Sequence, residues 1–343
     1  KNHFPVLEVT EYIKSFVNKE GQVNLTVENY LSSLKRFYEW LDTQGINFED
    51  ISVLILKRYL NHLHKLGLKK TTKYAYYAVV VRFVEWNTGV AEQERIFGKS
   101  SRKSNRFGGI LKGIKGPKEL SALKDTLPNT EKNKPDFLYA GDVEKIRKWI
   151  INTFEDELDF PYQTLYKTIY EILINTGVRK GELLSLRIDC LSRRKIQKPD
   201  GSEVLTYFLK IEEQKEFTYE EARKLGLFLK TGEREIPITN KLAKLILEWK
   251  ALRPIEAEYD FLLCNIHPDR YGKVFSQYAL KHFFSLMNNA EYGAETEKRT
   301  YPHIMRHTFA TELAKDLPLD VVQRLLGHAS VETTTVYVHL DGS

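Results

Sequence analysis

Six polar side chains in the second half of this chain are of types that handle phosphate rather than hold a core. Arg179 follows a helix-ending glycine in "NTGVRKGEL", and Lys230 sits in "FLKTGEREIPI", at a turn between two strand-like runs. His303 and Arg306 are three apart in "HIMRH" and so share one helical face. His328 follows the glycine that ends "VVQRLLG", and Tyr337 comes nine residues later, behind "ASVETTTV". No acidic cluster is attached to the set. Two guanidiniums can each hold anionic oxygens through paired N–H donors. A phosphodiester has two non-bridging oxygens whose charge must be held while a pentacoordinate transition state forms, and fixed arginines can do this by electrostatics alone. A tyrosine is a competent nucleophile once a base or a cationic surround lowers the cost of losing its proton, which is free only near pH ~10. A lysine on a turn can protonate a departing alkoxide. The sum is attack on a DNA phosphate through a phosphotyrosyl intermediate.

The stretches "TGVRKGEL", "KTGEREIPI", "HIMRHTFATEL" and "LLGHASVETTTVYVH" resemble the boxes of the tyrosine recombinases, the phage integrase family, in the family's order and spacing. The resemblance covers 137–343, and more loosely the N-terminal part through "NYLSSLKRFYEWL". The His-x-x-Arg box followed by Leu-Gly-His and a tyrosine nine residues on is its most specific part. It implies that Arg179 and Arg306 bind the scissile phosphate and that Lys230 protonates the departing 5′ oxygen. It further implies that His303 acts as acid or base near the tyrosine, that His328 hydrogen-bonds the phosphate or its leaving group, and that Tyr337 forms the 3′-phosphotyrosine. Glu182, one turn after Arg179, is the expected acidic orienting residue. The segment 210–229 is longer than the family's usual hairpin connection, so Lys210 and Lys215 compete with Lys230; the Thr-Gly after Lys230 and the Ile-Pro-Ile strand beyond it favour Lys230.

Each of these residues has a plainer reading. Tyr337 is one of 19 tyrosines, Arg179 is a helix-start arginine, and His328 at a helix C-terminus is favoured by the macrodipole. Their joint occurrence in order outweighs those readings. His303 and His307, four apart, have a metal-ligand spacing, but position 304 is Ile rather than the Glu of a zinc-protease helix, so no metal is expected.

The elements that must position these groups follow from pattern. Residues 8–45 read as helix, with Tyr30, Leu34, Phe37 and Leu41 at three- and four-residue steps and Gly45 as the stop. Residues 51–66 and 71–88 are two more, the first closed by Gly67. Residues 98–136 are rich in Gly, Ser, Lys and Pro and read as loop and linker. Beyond them "GDVEKIRKWIINTF" is a helix with Asp142 as its cap, and "YQTLYKTIYEILINTG" a buried helix ended by Gly177. A strand-rich patch follows: "LLSLRIDCLSRRKI", a hairpin turn at Asp200-Gly201, "EVLTYFLKIEE" and "LGLFLKTGEREIPI". After Thr239 the pattern is helical again. Met305, Phe309 and Leu313 form a core stripe beside His303 and Arg306. Pro318 and Asp320 open a helix that Gly327 closes, and Ser330 caps the short one leading to Tyr337.

The fold class is therefore mainly α, with a helical core-binding domain at 1–118, a basic linker at 119–136 and a catalytic domain at 137–343 carrying one small antiparallel sheet. With 343 residues and roughly 150 per domain, two domains are the expected number. The net charge of +6 leans toward a polyanion partner. Cys190 and Cys264 have no CxxC partner, which implies a reducing, cytoplasmic setting. No run of 18 apolar residues suggests a membrane span. Lys69, Lys70, Lys73 and Arg82, with Lys65, cluster in sequence around Tyr74, Tyr76 and Tyr77, and are read as phosphate contacts on double-stranded DNA. The family resemblance implies a two-domain C-shaped clamp on specific recombination sites and four protomers on two duplexes, with no ATP, metal or other cofactor. Integration, excision or transposition of a mobile element is the expected task. A type IB topoisomerase-like relaxation, or a DNA-binding relative without activity, are the alternatives.

Overall fold

The structure, a computed structural model, describes residues 6–16, 24–97, 136–156, 159–197, 200–214, 216–227 and 232–328. By contacts the chain divides into two compact units, Lys1–Lys132 and Asn133–Ser343, the division falling inside the basic segment 119–136.

The described part of the first unit is helical: α1 (Val6–Phe16), α2 (Asn24–Gln44), α3 (Val53–Lys65) and α4 (Lys70–Phe97), with α4 packed against the other three. Leu34, Phe37 and Leu41 recur at helical spacing on α2 and are fully buried, which is the burial their steps require. Gly45 and Gly67 follow α2 and α3 with φ near +64°, the left-handed conformation that ends a helix without a Cβ penalty. The core is aromatic: Tyr59 packs edge-on against Phe37 at 4.7 Å, and Tyr12 against Phe83 at 5.1 Å.

In the second unit, α5 (Ala140–Thr153) leads to α6 (Phe160–Thr176), which is buried almost all round and packs against α5, α9 (Asn240–Leu252) and α11 (Pro302–Asp316). After the short α7 (Lys180–Leu184) come β1 (Leu191–Gln197) and β2 (Glu203–Ile211), antiparallel, with Leu191 opposite Leu209. Asp200 Oδ1 accepts the Ser202 N–H at 2.9 Å and Gly201 has φ of 81°, so the Asp-Gly turn signal marks the hairpin. β3 (Arg234–Ile238) completes the sheet in the order β1-β2-β3. α10 (Gln277–Met287), α11 and α12 (Leu319–Leu326) follow, α12 closed by left-handed Gly327.

Three sequence expectations change. The strand patch read from "LLSLRIDCLSRRKI" opens only at Leu191, because Leu183 and Leu184 belong to α7. The segment between β2 and β3 contains a helix, α8 (Tyr219–Leu225), whose start is fixed by a reciprocal Thr218–Glu221 capping box. Among the described residues of "LGLFLKTGEREIPI", Leu225 ends this helix and Arg234–Ile238 form the strand. Asp142 does not cap α5: it lies in the first turn, buried, and its Oδ1 accepts the Glu297 N–H at 3.0 Å. It pins the loop that precedes α11 instead.

Candidate active site

Gly177 begins the site. It ends α6 in the left-handed region at φ 59°, and a Cβ there would sit 2.5 Å from Phe309 Cδ1. Glycine is thus required on both conformational and steric grounds. The turn lets the chain leave α6, bury Val178 and place Arg179, in extended backbone, at the head of α7.

Arg306 comes from the first turns of α11. Ile304 and Met305 beside it are buried in the core, and Thr308 Oγ1 accepts the Leu138 N–H at 2.8 Å, which fixes the helix. Arg306 itself is only 2% exposed. Its Nη1 donates to the Gly177 carbonyl at 2.6 Å and its Nη2 to the Leu326 carbonyl at 2.7 Å. Arg179 Nη1 reaches the same Leu326 oxygen at 3.5 Å. That oxygen lies at the C-terminus of α12, where carbonyls lack helical partners and the macrodipole is negative, so cations collect there. Two arginines from distant parts of the sequence are thereby brought to one point.

His328 follows directly on Gly327. Its N–H donates to the Gln323 carbonyl at 3.0 Å, and Gln323 Nε2 returns a bond to the His328 carbonyl at 3.0 Å. Burial pushes the imidazole pKa down to about 4, and the positive charges of Arg306, Arg179 and Arg234 push it the same way. His328 is therefore neutral near pH 7, offering one ring nitrogen as donor and one as acceptor.

His303 lies exposed on the first turn of α11, its ring 6.0 Å from that of His307. His307 is half-buried and also held down to about 4, by burial first and then by His303 and Arg306. No group of three or more His, Cys, Asp or Glu side chains suited to a metal ion occurs among the described residues.

Glu182 is fully buried at 0% exposure. Its Oε2 accepts the Arg179 backbone N–H at 2.7 Å, which sets the start of α7, and its Oε1 lies 3.4 Å from Arg179 Nη1. Its main partner is a residue the motifs did not single out. Arg234 donates from Nη1 to Oε1 at 3.0 Å and from Nη2 to Oε2 at 2.9 Å, a paired bond, while its Nε donates to the Leu325 carbonyl at 3.0 Å. The signal for Arg234 was in the strand period. In "REIPI" it alternates with Ile236 and Ile238, both buried, and so occupies the inward column where a charge needs a reason.

The same alternation removes Lys210 from the candidates. It pairs with Glu235 across β2 and β3, while Ile211 pairs with Arg234, so Lys210 lies on the sheet face opposite the site and stands 3.8 Å from Glu212. Lys230, Lys215, Ser330 and Tyr337 lie outside the described residues.

Lys69 directly precedes α4 and Lys70 and Lys73 lie in its first turn, Lys70 over the Tyr74 ring at 5.7 Å. Arg82 does not join them, which corrects the sequence cluster. Nine residues on from Lys73 is half a turn at about 100° per residue, so it lies on the opposite face, where its Nη1 donates to Tyr30 Oη of α2 at 3.1 Å. Tyr77 is likewise a core residue, fully buried.

Comparison with known proteins places this geometry. Residues 213–343 match the phage integrase family and residues 8–86 the phage integrase SAM-like domain. The chain is 25% identical over 320 residues to a tyrosine recombinase of Pseudothermotoga lettingae, covering 92% of this chain and 87% of the relative. It is 26% identical over 347 residues to tyrosine recombinase XerC of Bacillus licheniformis, covering 97% and 91%. It is 24% identical over 350 residues to transposase A from transposon Tn554 of Staphylococcus aureus, covering 97% and 87%. In fold it is similar to the XerH site-specific recombinase bound to palindromic difH substrate, with a TM-score of 0.61 at 22% identity, covering 97% of this chain and 81% of that one. It is also similar to the Tn1549 transposon integrase in complex with transposon right end DNA, with a TM-score of 0.60 at 15% identity, covering 97% and 94%.

Proposed function

This chain belongs to the phage integrase family, the tyrosine recombinases, and we propose that its reaction runs through Tyr337 as nucleophile on a phosphate held by Arg179 and Arg306. It is a DNA strand breaking and rejoining enzyme, acting in site-specific recombination or transposition through a covalent 3′-phosphotyrosine. In this reading the Tyr337 phenolic oxygen attacks phosphorus, the bond to the 5′ oxygen breaks, and Lys230 gives that oxygen its proton. Arg179 and Arg306 hold the non-bridging oxygens as charge builds on them. His328, neutral in its cationic surround, shares a hydrogen bond with the phosphate, and His303 on the exposed turn of α11 exchanges the tyrosine proton. A 5′ hydroxyl from a partner strand then attacks the phosphotyrosine and reseals the backbone, so bond energy is conserved and no nucleotide is consumed.

The observation that carries this reading is the shared Leu326 carbonyl, which brings the Arg179 and Arg306 guanidiniums together beside His328. Lys69, Lys70 and Lys73 of the first unit contact phosphates of double-stranded DNA, which positions the duplex without reading its sequence. Four protomers assemble on two duplexes in the cytoplasm.

The test is a nicked suicide substrate drawn from the DNA flanking the coding sequence. Expected is a covalent adduct at one sequence, mapped by digestion to Tyr337, with exchange to a second duplex. Relaxation of supercoils with no site requirement would move the assignment to a topoisomerase-like activity, and the lack of any adduct would leave only binding.

A further inference from the structure

We infer that Arg234 is a positioning residue for the cleavage step: by occupying both oxygens of Glu182 it keeps the Arg179 guanidinium available to the scissile phosphate. This rests on the reading of Arg179 as a phosphate ligand.

Glu182 is a fully buried carboxylate at i+3 from Arg179, so the two side chains are natural ion-pair partners on the α7 turn. A buried carboxylate with spare acceptor capacity would draw that guanidinium into a short, paired bond, since low local dielectric strengthens the attraction. Arg179 Nη1 instead stands at 3.4 Å from Oε1, while Arg234 holds Oε1 and Oε2 at 3.0 and 2.9 Å. The Arg234 side chain is 9% exposed, engaged with Glu182 and with the Leu325 carbonyl. It therefore acts through other groups rather than on substrate. One side chain thus fixes three pieces: α7 with Arg179, the C-terminus of α12 just before His328, and β3, whose preceding segment carries Lys230.

The charge count points the same way. Arg179, Arg234 and Glu182 together carry a net charge of +1, to which Arg306 adds another, whereas Arg179 and Glu182 alone would sum to zero. Without Arg234, Glu182 would cancel Arg179, and the site would be left with one arginine for a phosphate that needs two.

The experiment compares single-turnover cleavage of the nicked substrate by the unmodified protein, Arg234→Met, Glu182→Gln and the double variant, with DNA affinity and melting temperature measured alongside. Arg234→Met is expected to cleave about 100-fold more slowly, the loss typical of a misplaced catalytic group, with affinity within about 3-fold. The double variant is expected to recover at least about 10-fold of that loss, because Gln still accepts the Arg179 N–H but no longer attracts its guanidinium. A purely structural role would make the two losses multiply, and that result overturns the inference. If Arg234→Met does not fold, Arg234→Lys and Arg234→Lys with Glu182→Gln replace it; Lys keeps the charge but cannot make the paired bond, so the same recovery is expected. An unmodified protein that never forms the adduct would instead overturn the phosphate-ligand reading and this inference with it. Normal adduct formation with unimpaired Arg234 variants would sink the inference alone.

Discussion

Arg179 and Arg306 donate to one and the same acceptor, the carbonyl oxygen of Leu326, at 3.5 and 2.7 Å. Neither arginine could be placed by its own helix alone. A single backbone oxygen at the end of α12 sets the spacing of the two cations, and Gly177, whose carbonyl accepts the other Arg306 nitrogen, sets their depth.

The nucleophile assignment is checked by Tyr337→Phe. Trapping on nicked DNA should disappear, while equilibrium affinity should stay within about 3-fold, because the hydroxyl contributes to bond making rather than to the many phosphate contacts that hold a duplex. Residual adduct in the variant would show that another residue attacks.

Replacing Arg306 by Lys should lower the cleavage rate by about 100- to 1,000-fold, the range seen when one preorganised donor to a developing charge is lost. Arg306→Met should also lower stability by about 2–3 kcal/mol, because the Gly177 and Leu326 carbonyls lose charged donors inside the protein. Chemical denaturation of both variants separates the two effects.

Gly177→Ala should destabilise by at least about 1 kcal/mol from the left-handed backbone alone, with more from the Cβ that would press on Phe309. Since the Gly177 carbonyl also holds Arg306, cleavage should fall even at temperatures where the variant is fully folded. Calorimetry and single-turnover assays on the same sample read both.

Stability should fall as the pH is lowered from about 6.5 toward 4. His307 and His328 are both held near 4 in the folded state, so between that value and the ordinary histidine range the unfolded chain binds more protons. Their contribution is fully present above the ordinary value and is lost on acidification. His307→Gln should flatten the melting-temperature profile across this window; an unchanged profile would mean the acid sensitivity arises elsewhere.

Charge removal on α4 separates its two faces. Each of Lys69, Lys70 and Lys73 changed to Gln should weaken DNA binding evenly across sequences and reduce the salt slope by about one. Arg82→Gln, on the far face against Tyr30, should leave the slope unchanged. Titrations at several salt concentrations decide it.

Much of the site was legible because its residues belong to local patterns. His303 and Arg306 share a helical face, glycines at 177 and 327 end helices, and the order of boxes names the chemistry. Local reading failed where the cause was not local. Asp142 looked like a cap because it stands at a helix start, yet it serves a loop far along the chain. Arg82 looked like part of a basic cluster because it is near the lysines in the chain, but neighbours in sequence are not neighbours on a helix face.

Residue types and order alone determined the mainly helical class and the glycine-marked helix ends, since propensity and period are properties of short segments, and the resemblance of the boxes pointed to the reaction family. Only the tertiary structure decided that Arg234 partners Glu182, that Lys210 lies on the wrong sheet face, and that α12 offers its terminal carbonyls to arginines from two other elements. Those are long-range pairings, fixed by where packed helices and strand register bring their ends, and no window of sequence contains both partners.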